Sequence, residues 1–126
     1  MRHPPPTLPA VADTSVFFNP SCSKCRTAQG ILHDRGVDAE YIRYLDQAPT
    51  LDELRRLMSL LDIDDPRAMM RRGEPIYDEL GLDDAGPHEL LRAITEHPIL
   101  LERPIVVRGN RAVIARPPER VLDLLQ

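Results

Sequence analysis

The sequence has little cysteine, no long apolar run and no excess of positive charge, and each shortage argues against a class of protein. Its 126 residues include only two cysteines, and its four histidines are scattered, which argues against a structural zinc site. No apolar run approaches the ~20 residues that a membrane span needs. The net charge is −4 with both signs spread along the chain, so we expect no nucleic-acid-binding surface.

The N-terminus also lacks the apolar core of a signal peptide, so we expect a cytoplasmic protein. In a reducing compartment a close pair of cysteines is more often catalytic or metal-binding than a permanent disulfide. Residues 1–13 contain four prolines and no helical or strand periodicity, which predicts a disordered tail. The remaining residues, 14–126, are of a length that predicts a single domain.

The first part of this domain has the pattern of a strand–helix–strand unit. A β-prone run over residues 14–18 is followed from about Ser23 by a helical pattern, which ends near Gly36. The alternating segment 40–45 predicts a second strand. The two cysteines lie where the first strand turns into the helix.

The second part has a helical insert, at about residues 50–98, followed by a hairpin. Helices are predicted after the capping box that Thr50 and Glu53 form, after Asp65-Pro66 and after Gly86-Pro87, with Pro98 ending the last one. Two β-branched runs flank a Gly109-Asn110 turn, and a short helix follows Pro117-Pro118. The order of elements predicts an α/β layer fold with a mixed sheet of about four strands.

Both cysteines occur in one stretch, FFNPSCSKCRTAQGIL, as Cys22 and Cys25. Three interpretations are open: a metal clip, two buried thiols without a role, or a redox pair. A Cys-x-x-Cys pair between a strand and a helix favours the redox interpretation. The helix N-terminus stabilises a thiolate at Cys22, and Lys24 and Arg26 add positive charge nearby.

Several further segments resemble the ArsC family of arsenate reductases. They are NPSCSKCR, then YL (residues 44–45) with a following proline, then RAMMRRGEPIYDELGL, EHPILLERPIVV and ARPPERVLDLL, in the family's order, over roughly residues 14–126. The resemblance implies a thioredoxin-like (glutaredoxin-like) three-layer α/β fold with a four-stranded mixed sheet and a helical insert. By analogy with such folds, we also predict a cis peptide bond between Arg103 and Pro104.

The resemblance also implies a catalytic site. The family's three oxyanion-binding arginines match Arg71, Arg103 and Arg116, and guanidinium groups suit an oxyanion because they bind it bidentately and stay charged. The implied nucleophile is Cys22, assisted by Arg26. Family members often have a histidine four residues before the nucleophile, whereas this chain has Phe18.

The resemblance implies a thiol-dependent arsenate reductase without a bound cofactor or metal. Cys25 stands where glutathione-dependent members often have serine, so we expect an internal disulfide with Cys22 that thioredoxin reduces, with glutathione and glutaredoxin as the other possible donors. Two alternatives are a redox-switch transcriptional regulator like Spx and a general glutaredoxin-like oxidoreductase. We expect a monomer whose partners are arsenate and the donor protein.

Overall fold

A computed structural model describes residues 13–126 of the chain. The proline-rich tail predicted for residues 1–13 lies outside them except for Asp13. Eight strands and α-helices follow one another in the described part: β1 (Thr14–Phe17), α1 (Ser23–Asp34), β2 (Glu40–Ile42), α2 (Leu51–Leu61), α3 (Pro75–Glu79), α4 (Pro87–Glu96), β3 (Ile105–Arg108) and β4 (Arg111–Ile114). Four 3₁₀ helices lie between and after them: Pro66–Met69, Leu82–Asp84, Pro98–Leu100 and Pro118–Leu125.

The strands form one mixed, four-stranded sheet, as the sequence predicts, and their order is β2-β1-β3-β4. Strands β1 and β2 are parallel, whereas β3 pairs antiparallel with both β1 and β4. The predicted turn joins β3 to β4, and its Gly109 has a φ of 60° that a side chain would disfavour. Strand β2 ends at Ile42, short of the predicted residue 45.

Helices cover both faces of this sheet and give it three layers. On one face, Leu32 of α1 and Val121 of the last 3₁₀ helix pack against Val16 and Val106. On the other face, the helices between β2 and β3 pack against Phe17 and Ile105 through a larger apolar cluster. The three-layer α/β architecture predicted for the chain is therefore confirmed.

The three helices predicted between β2 and β3 begin where the sequence predicts, and α3 and the 3₁₀ helices Leu82–Asp84 and Pro98–Leu100 are additional. Thr50 and Glu53 form the capping box of α2, and the Asp65 carboxylate accepts a hydrogen bond at the start of the Pro66–Met69 helix. The Pro66–Met69 helix and the C-terminal Pro118–Leu125 helix are 3₁₀ helices. The short helix α3 was not predicted, because five residues are too few for a periodic pattern.

A single arginine joins the end of α3 to the start of α4. The Arg67 guanidinium donates to the carbonyl oxygens of Leu82, Asp83 and Ala85 at 2.6, 3.0 and 2.8 Å, and to the Tyr77 hydroxyl at 3.0 Å. These bonds satisfy the carbonyl groups of Asp83 and Ala85 and add a second donor to that of Leu82, which also accepts from the Ala85 N–H, so the irregular connection is fixed. The Arg67 guanidinium is thereby committed to the fold.

Candidate active site

One edge of the sheet brings together four separate segments of the chain. Ile42, Phe17, Ile105 and Ile114 lie opposite one another in a single row across the four strands. Because β1, β2 and β4 end at this row and β3 begins there, the chain leaves or enters the sheet at the same edge four times. The adjoining segments carry Cys22, Tyr44, Arg103 and Arg116, which are distant in sequence.

Cys22 occupies the N-cap position of α1. Its φ and ψ of −94° and 122° are extended, and its N–H donates to the Asn19 carbonyl oxygen at 3.0 Å. The first turn of α1 contains no acidic residue. The sulfur therefore faces N–H groups that have no partner within the helix, and these favour a negative charge.

The pKa of the Cys22 thiol is lowered from 9.0 to about 7. Partial burial alone would raise this pKa, but hydrogen bonds from the Cys25 N–H and thiol, the Lys24 N–H and the Arg103 guanidinium outweigh that effect. A large fraction of Cys22 is therefore thiolate near neutral pH, which is the form that acts as a nucleophile.

Cys25 is fully buried one helical turn after Cys22, and neither cysteine is in a disulfide. Burial raises the pKa of Cys25 to about 11, the Asn19 N–H opposes this, and the neighbouring Cys22 raises it further. Cys25 is therefore a protonated thiol beside Cys22, and its presence helps to lower the pKa of Cys22. Cys22 therefore has the protonation state of a nucleophile, and Cys25 that of a thiol that can react in a later step.

Arg103 has buried guanidinium nitrogens without partners. Its Nε and Nη1 atoms are inaccessible to water and make no hydrogen bond with any residue of 13–126. The same guanidinium lies close enough to Cys22 to lower its pKa. Buried N–H donors nearly always have an acceptor, so these two point to an acceptor that the protein itself does not supply.

The segments on either side of Arg103 fix its position. The Arg103–Pro104 peptide bond is cis, as predicted, and the Arg116–Pro117 bond is also cis, which was not predicted. Nη1 of Arg116 donates to the Arg103 carbonyl oxygen at 2.9 Å. Arg116 therefore lies beside Arg103 with its other guanidinium nitrogens left over, and its binding of an oxyanion stays a prediction.

Arg71 reaches the same region from the helical segment. The Arg71 N–H donates to the Leu100 carbonyl oxygen at 2.7 Å, and the Glu102 N–H donates to the Met69 carbonyl oxygen at 2.9 Å. These bonds flank an isolated antiparallel bridge between Met70 and Leu101. The bridge ties Arg71 to the chain that leads directly into Arg103.

Arg26 is placed differently from the other predicted arginines. It is exposed on α1, and its Nη1 donates to the Pro20 carbonyl oxygen at 2.9 Å. This bond braces the loop between β1 and Cys22. A direct role of Arg26 in binding an oxyanion stays a prediction.

Tyr44 belongs to this cluster although sequence reasoning did not select it. Its side chain is only 1% exposed. Burial raises its pKa to about 12, and the charges of Arg103, Cys25, Arg71 and Cys22 act on it as well. Tyr44 lies two residues beyond the end of β2. Because β1 and β2 are parallel, this places it level with the loop that follows β1, and that position could have indicated Tyr44 as a site residue.

Comparison with known proteins identifies the family of the chain. A profile of the ArsC family matches residues 17–124. This chain belongs to the ArsC family. A curated arsenate reductase from Neisseria meningitidis is 44% identical over 115 residues, which are 90% of this chain and 98% of that protein.

Other ArsC relatives agree over nearly their full lengths. An arsenate reductase from Haemophilus influenzae is 42% identical over 112 residues, 87% of this chain and 97% of its own. The structure of an arsenate reductase from Vibrio cholerae superimposes with a TM-score of 0.85 at 42% identity, covering 87% of this chain and 95% of that one. The thioredoxin-like fold expected from the sequence is thereby confirmed.

Phe18 occupies the position at which ArsC proteins often have a histidine. Its ring is 7% exposed, belongs to the apolar cluster around α1 and packs edge-on against Tyr41 at a centroid distance of 5.2 Å. No titratable group therefore stands at this position. The lowered pKa of Cys22 is due to backbone N–H groups, Cys25 and Arg103 instead.

No group of three or more His, Cys, Asp or Glu side chains lies in an arrangement that could hold a metal ion within residues 13–126. None of the helices described for these residues is long and apolar enough to cross a membrane.

Proposed function

We propose that this protein is an arsenate reductase that uses Cys22 as its nucleophile. The observation that carries the proposal is Arg103, whose buried Nε and Nη1 lack acceptors beside a thiol with a pKa of about 7. Nε and Nη1 are closed to water in this structure, so the Arg103 side chain must shift before an oxyanion can supply the missing acceptors and bring its central atom within reach of the thiolate. The curated relatives at 42–44% identity are named arsenate reductases, which supports arsenate as the oxyanion.

Binding depends on guanidinium groups and on the start of α1. Arg71, Arg103 and Arg116 offer N–H donors in planar forks that match the oxygen atoms of a tetrahedral anion. The free N–H groups of the first turn of α1 offer further donors and a partial positive charge. Phosphate has the same shape, so we expect it to compete without being reduced.

Chemistry begins with attack of the Cys22 thiolate on arsenic. A sulfur–arsenic bond forms, an arsenic–oxygen bond breaks, and the oxygen leaves as water after taking up a proton. Arsenic is still As(V) in this adduct. The arginines offset the negative charge on the remaining oxygens throughout.

Reduction takes place when a second thiol attacks the Cys22 sulfur. A disulfide bond forms, the electron pair of the sulfur–arsenic bond goes to arsenic, and arsenite, As(III), leaves. We propose Cys25 as this thiol. Part of what raises its pKa is the adjacent Cys22, and that contribution is lost once the Cys22 sulfur is bonded to arsenic. Cys25 therefore ionises more readily when its attack is needed.

The disulfide must then be reduced by an external donor. A buried Cys25 leaves Cys22, at the helix start, as the more accessible sulfur. We propose thioredoxin in the cytoplasm as the donor, since the internal disulfide removes the need for glutathione in the chemical step. Glutathione with glutaredoxin would instead resolve the arsenic adduct on Cys22 directly.

A second candidate is a general thiol–disulfide oxidoreductase. The lowered pKa of Cys22 beside the protonated thiol of Cys25 favours it, because both are what disulfide exchange requires. It offers no reason for the unpartnered nitrogens of Arg103. Arsenate reduction explains both features and is preferred.

Arsenite formation from arsenate, driven by dithiothreitol, tests the proposal. We expect turnover by the wild type, none above the protein-free blank for Cys22→Ser, and a loss in kcat/KM of roughly 100-fold or more for Arg103→Gln. Arg111→Gln is the matched control, since Arg111 is exposed at the opposite edge of the sheet. Equal turnover by Arg103→Gln and Arg111→Gln would contradict the assignment, and disulfide exchange without arsenite would favour the general oxidoreductase.

A further inference from the structure

A carboxylate borders the candidate oxyanion site, although its charge opposes the binding of an anion. Oε2 of Glu74 lies 3.0 Å from Nη1 of Arg71, and the Arg71 and Glu74 side chains are 29% and 20% exposed. Water therefore screens this pair less than it screens a pair on the open surface. Whatever Arg71 binds also experiences the charge of Glu74.

The backbone fixes the two partners relative to one another. The Glu74 N–H donates to the Arg71 carbonyl oxygen at 3.2 Å, which closes a four-residue turn, and the Arg71 N–H is bonded to Leu100. Pro75 begins α3 immediately afterwards. Because both ends of the turn are held, the ion pair is part of the fold and is more than a chance meeting of two flexible side chains.

The Glu74 side chain is not used for the task that its position in the chain offers. Glu74 is the N-cap residue of α3, where an acidic side chain can accept hydrogen bonds from the helix N–H groups, yet it makes none. Its carboxylate is directed to Arg71 instead. A role in starting the helix therefore does not explain the residue.

We propose that Glu74 positions Arg71 and lowers the positive charge of the oxyanion site, so that phosphate-like dianions bind only weakly. The inference deepens the proposed function and rests on it. With the Cys22 thiolate, Glu74 offsets two of the three arginine charges. The site then still favours an anion, but cellular phosphate does not occupy it tightly.

Replacing Glu74 by glutamine separates its charge from its hydrogen bond. Glu74→Gln keeps an oxygen that can accept from Arg71 and removes the negative charge. We expect the inhibition constant of inorganic phosphate and the KM for arsenate to fall together, by roughly tenfold for a charge contact of this kind, while kcat does not rise. Unchanged or weaker binding of phosphate would overturn the inference.

Replacing Glu74 by alanine removes the acceptor as well as the charge. Arg71 then loses the contact that holds it, so we expect the KM and the phosphate inhibition constant to exceed those of Glu74→Gln by about threefold or more. Equal constants for the two variants would overturn the positioning role. Glu79→Gln is the control, because Glu79 is exposed at the other end of α3.

Direct calorimetric titration with inorganic phosphate distinguishes this inference from the proposed function. Phosphate is not reduced, so its binding does not depend on the redox steps. If the wild type binds phosphate and Glu74→Gln binds it no more tightly, the role of Glu74 is wrong while the oxyanion site stands. If neither protein binds phosphate and arsenate is not turned over, the oxyanion site itself is wrong.

Discussion

The two thiols of the Cys-x-x-Cys segment differ although they lie one helical turn apart. Cys22 is at the helix start, where N–H groups and Arg103 lower its pKa to about 7, whereas burial raises that of Cys25 to about 11. The sequence predicted that the pKa of Cys22 would be the lowered one, because the helix boundary was readable, and the reactivity of Cys22 stays a prediction. The hydrogen-bonding contribution of Arg103 was not predictable from the residues alone, because it depends on the meeting of two distant segments.

The pH dependence of Cys22 alkylation follows from this difference. The thiolate is the reactive form, so the rate with iodoacetamide should rise with pH to a midpoint near 7, well below the ~8.5 of a free cysteine. Arg103→Gln should move the midpoint upward, because it removes one of the groups that favour the thiolate. The midpoint is measured by quenching the alkylation at set times and quantifying the labelled protein by mass spectrometry. The pH range from 5 to 9 roughly spans both values.

The control for alkylation is Cys22→Ser, which leaves only the buried Cys25. This variant should react slowly across the whole range. A wild-type midpoint at the value of a free cysteine, or fast labelling of Cys22→Ser, would contradict the assignment of Cys22 as the activated thiol.

The arginines show how far residue patterns can reach. A resemblance in motif selected Arg71, Arg103 and Arg116, but only the structure shows that they differ in their partners. Tyr44 was not selected as a site residue because a single tyrosine carries no chemical signature in the sequence. Its place beside the arginines and cysteines depends on where β2 ends. The sequence could likewise not show that Glu74 pairs with Arg71 in preference to capping α3.

At the scale of elements, the helices that begin with a capping or proline signal read from the sequence were predictable, whereas α3 and the 3₁₀ helices Leu82–Asp84 and Pro98–Leu100 were not predicted. The capping box at Thr50 and the proline after Gly86 mark α2 and α4 correctly, because these signals act within one turn. Helix α3 has five residues and begins at Pro75 without a side-chain cap, so neither periodicity nor capping announces it. The Arg67 bonds that fix the next connection join residues up to 18 positions apart.

Thr50→Ala tests the capping box as an element-level feature. The Thr50 hydroxyl accepts from the Glu53 N–H at 3.1 Å, and its loss should lower the free energy of unfolding by about 1 kcal/mol. Urea denaturation measures the change. Activity should be retained, because α2 contributes none of the proposed catalytic residues.

The matched control for Thr50→Ala is Thr27→Ala. Thr27 is also exposed, but its hydroxyl only donates to the Ser23 carbonyl oxygen within α1, so the change should stay within ~0.5 kcal/mol. Equal losses of stability in the two variants would show that the capping box has no special contribution.

At the scale of the whole molecule, the site exists because the sheet has a mixed topology. Parallel β1 and β2 and antiparallel β3 and β4 all meet the same edge at one row of residues, Ile42, Phe17, Ile105 and Ile114. The strand–helix–strand unit and the hairpin were readable from local patterns. Their side-by-side order was implied only by the resemblance to a family, since local patterns do not determine which strands pair.

The residues that build the core and the proposed site residues come largely from different parts of the chain. The helices between β2 and β3 contribute most of one apolar cluster and deliver a single predicted arginine, Arg71, to the site through the bridge between Met70 and Leu101. Arg103 and Arg116 come from the hairpin, and the cysteines from the first turn. The proposed reaction therefore needs the whole domain, and no local segment could perform it alone.

Arsenate-dependent consumption of NADPH is the most direct test of arsenate reduction by Cys22 with Cys25 as the second thiol. It is run with thioredoxin and its reductase, and separately with glutathione, glutaredoxin and glutathione reductase, for the wild type and Cys25→Ser. Arsenate reduction through an internal Cys22–Cys25 disulfide predicts turnover with thioredoxin that is abolished in Cys25→Ser. Turnover only with glutathione and indifferent to Cys25 would contradict the internal disulfide, and the absence of turnover with both donors would contradict arsenate reduction itself.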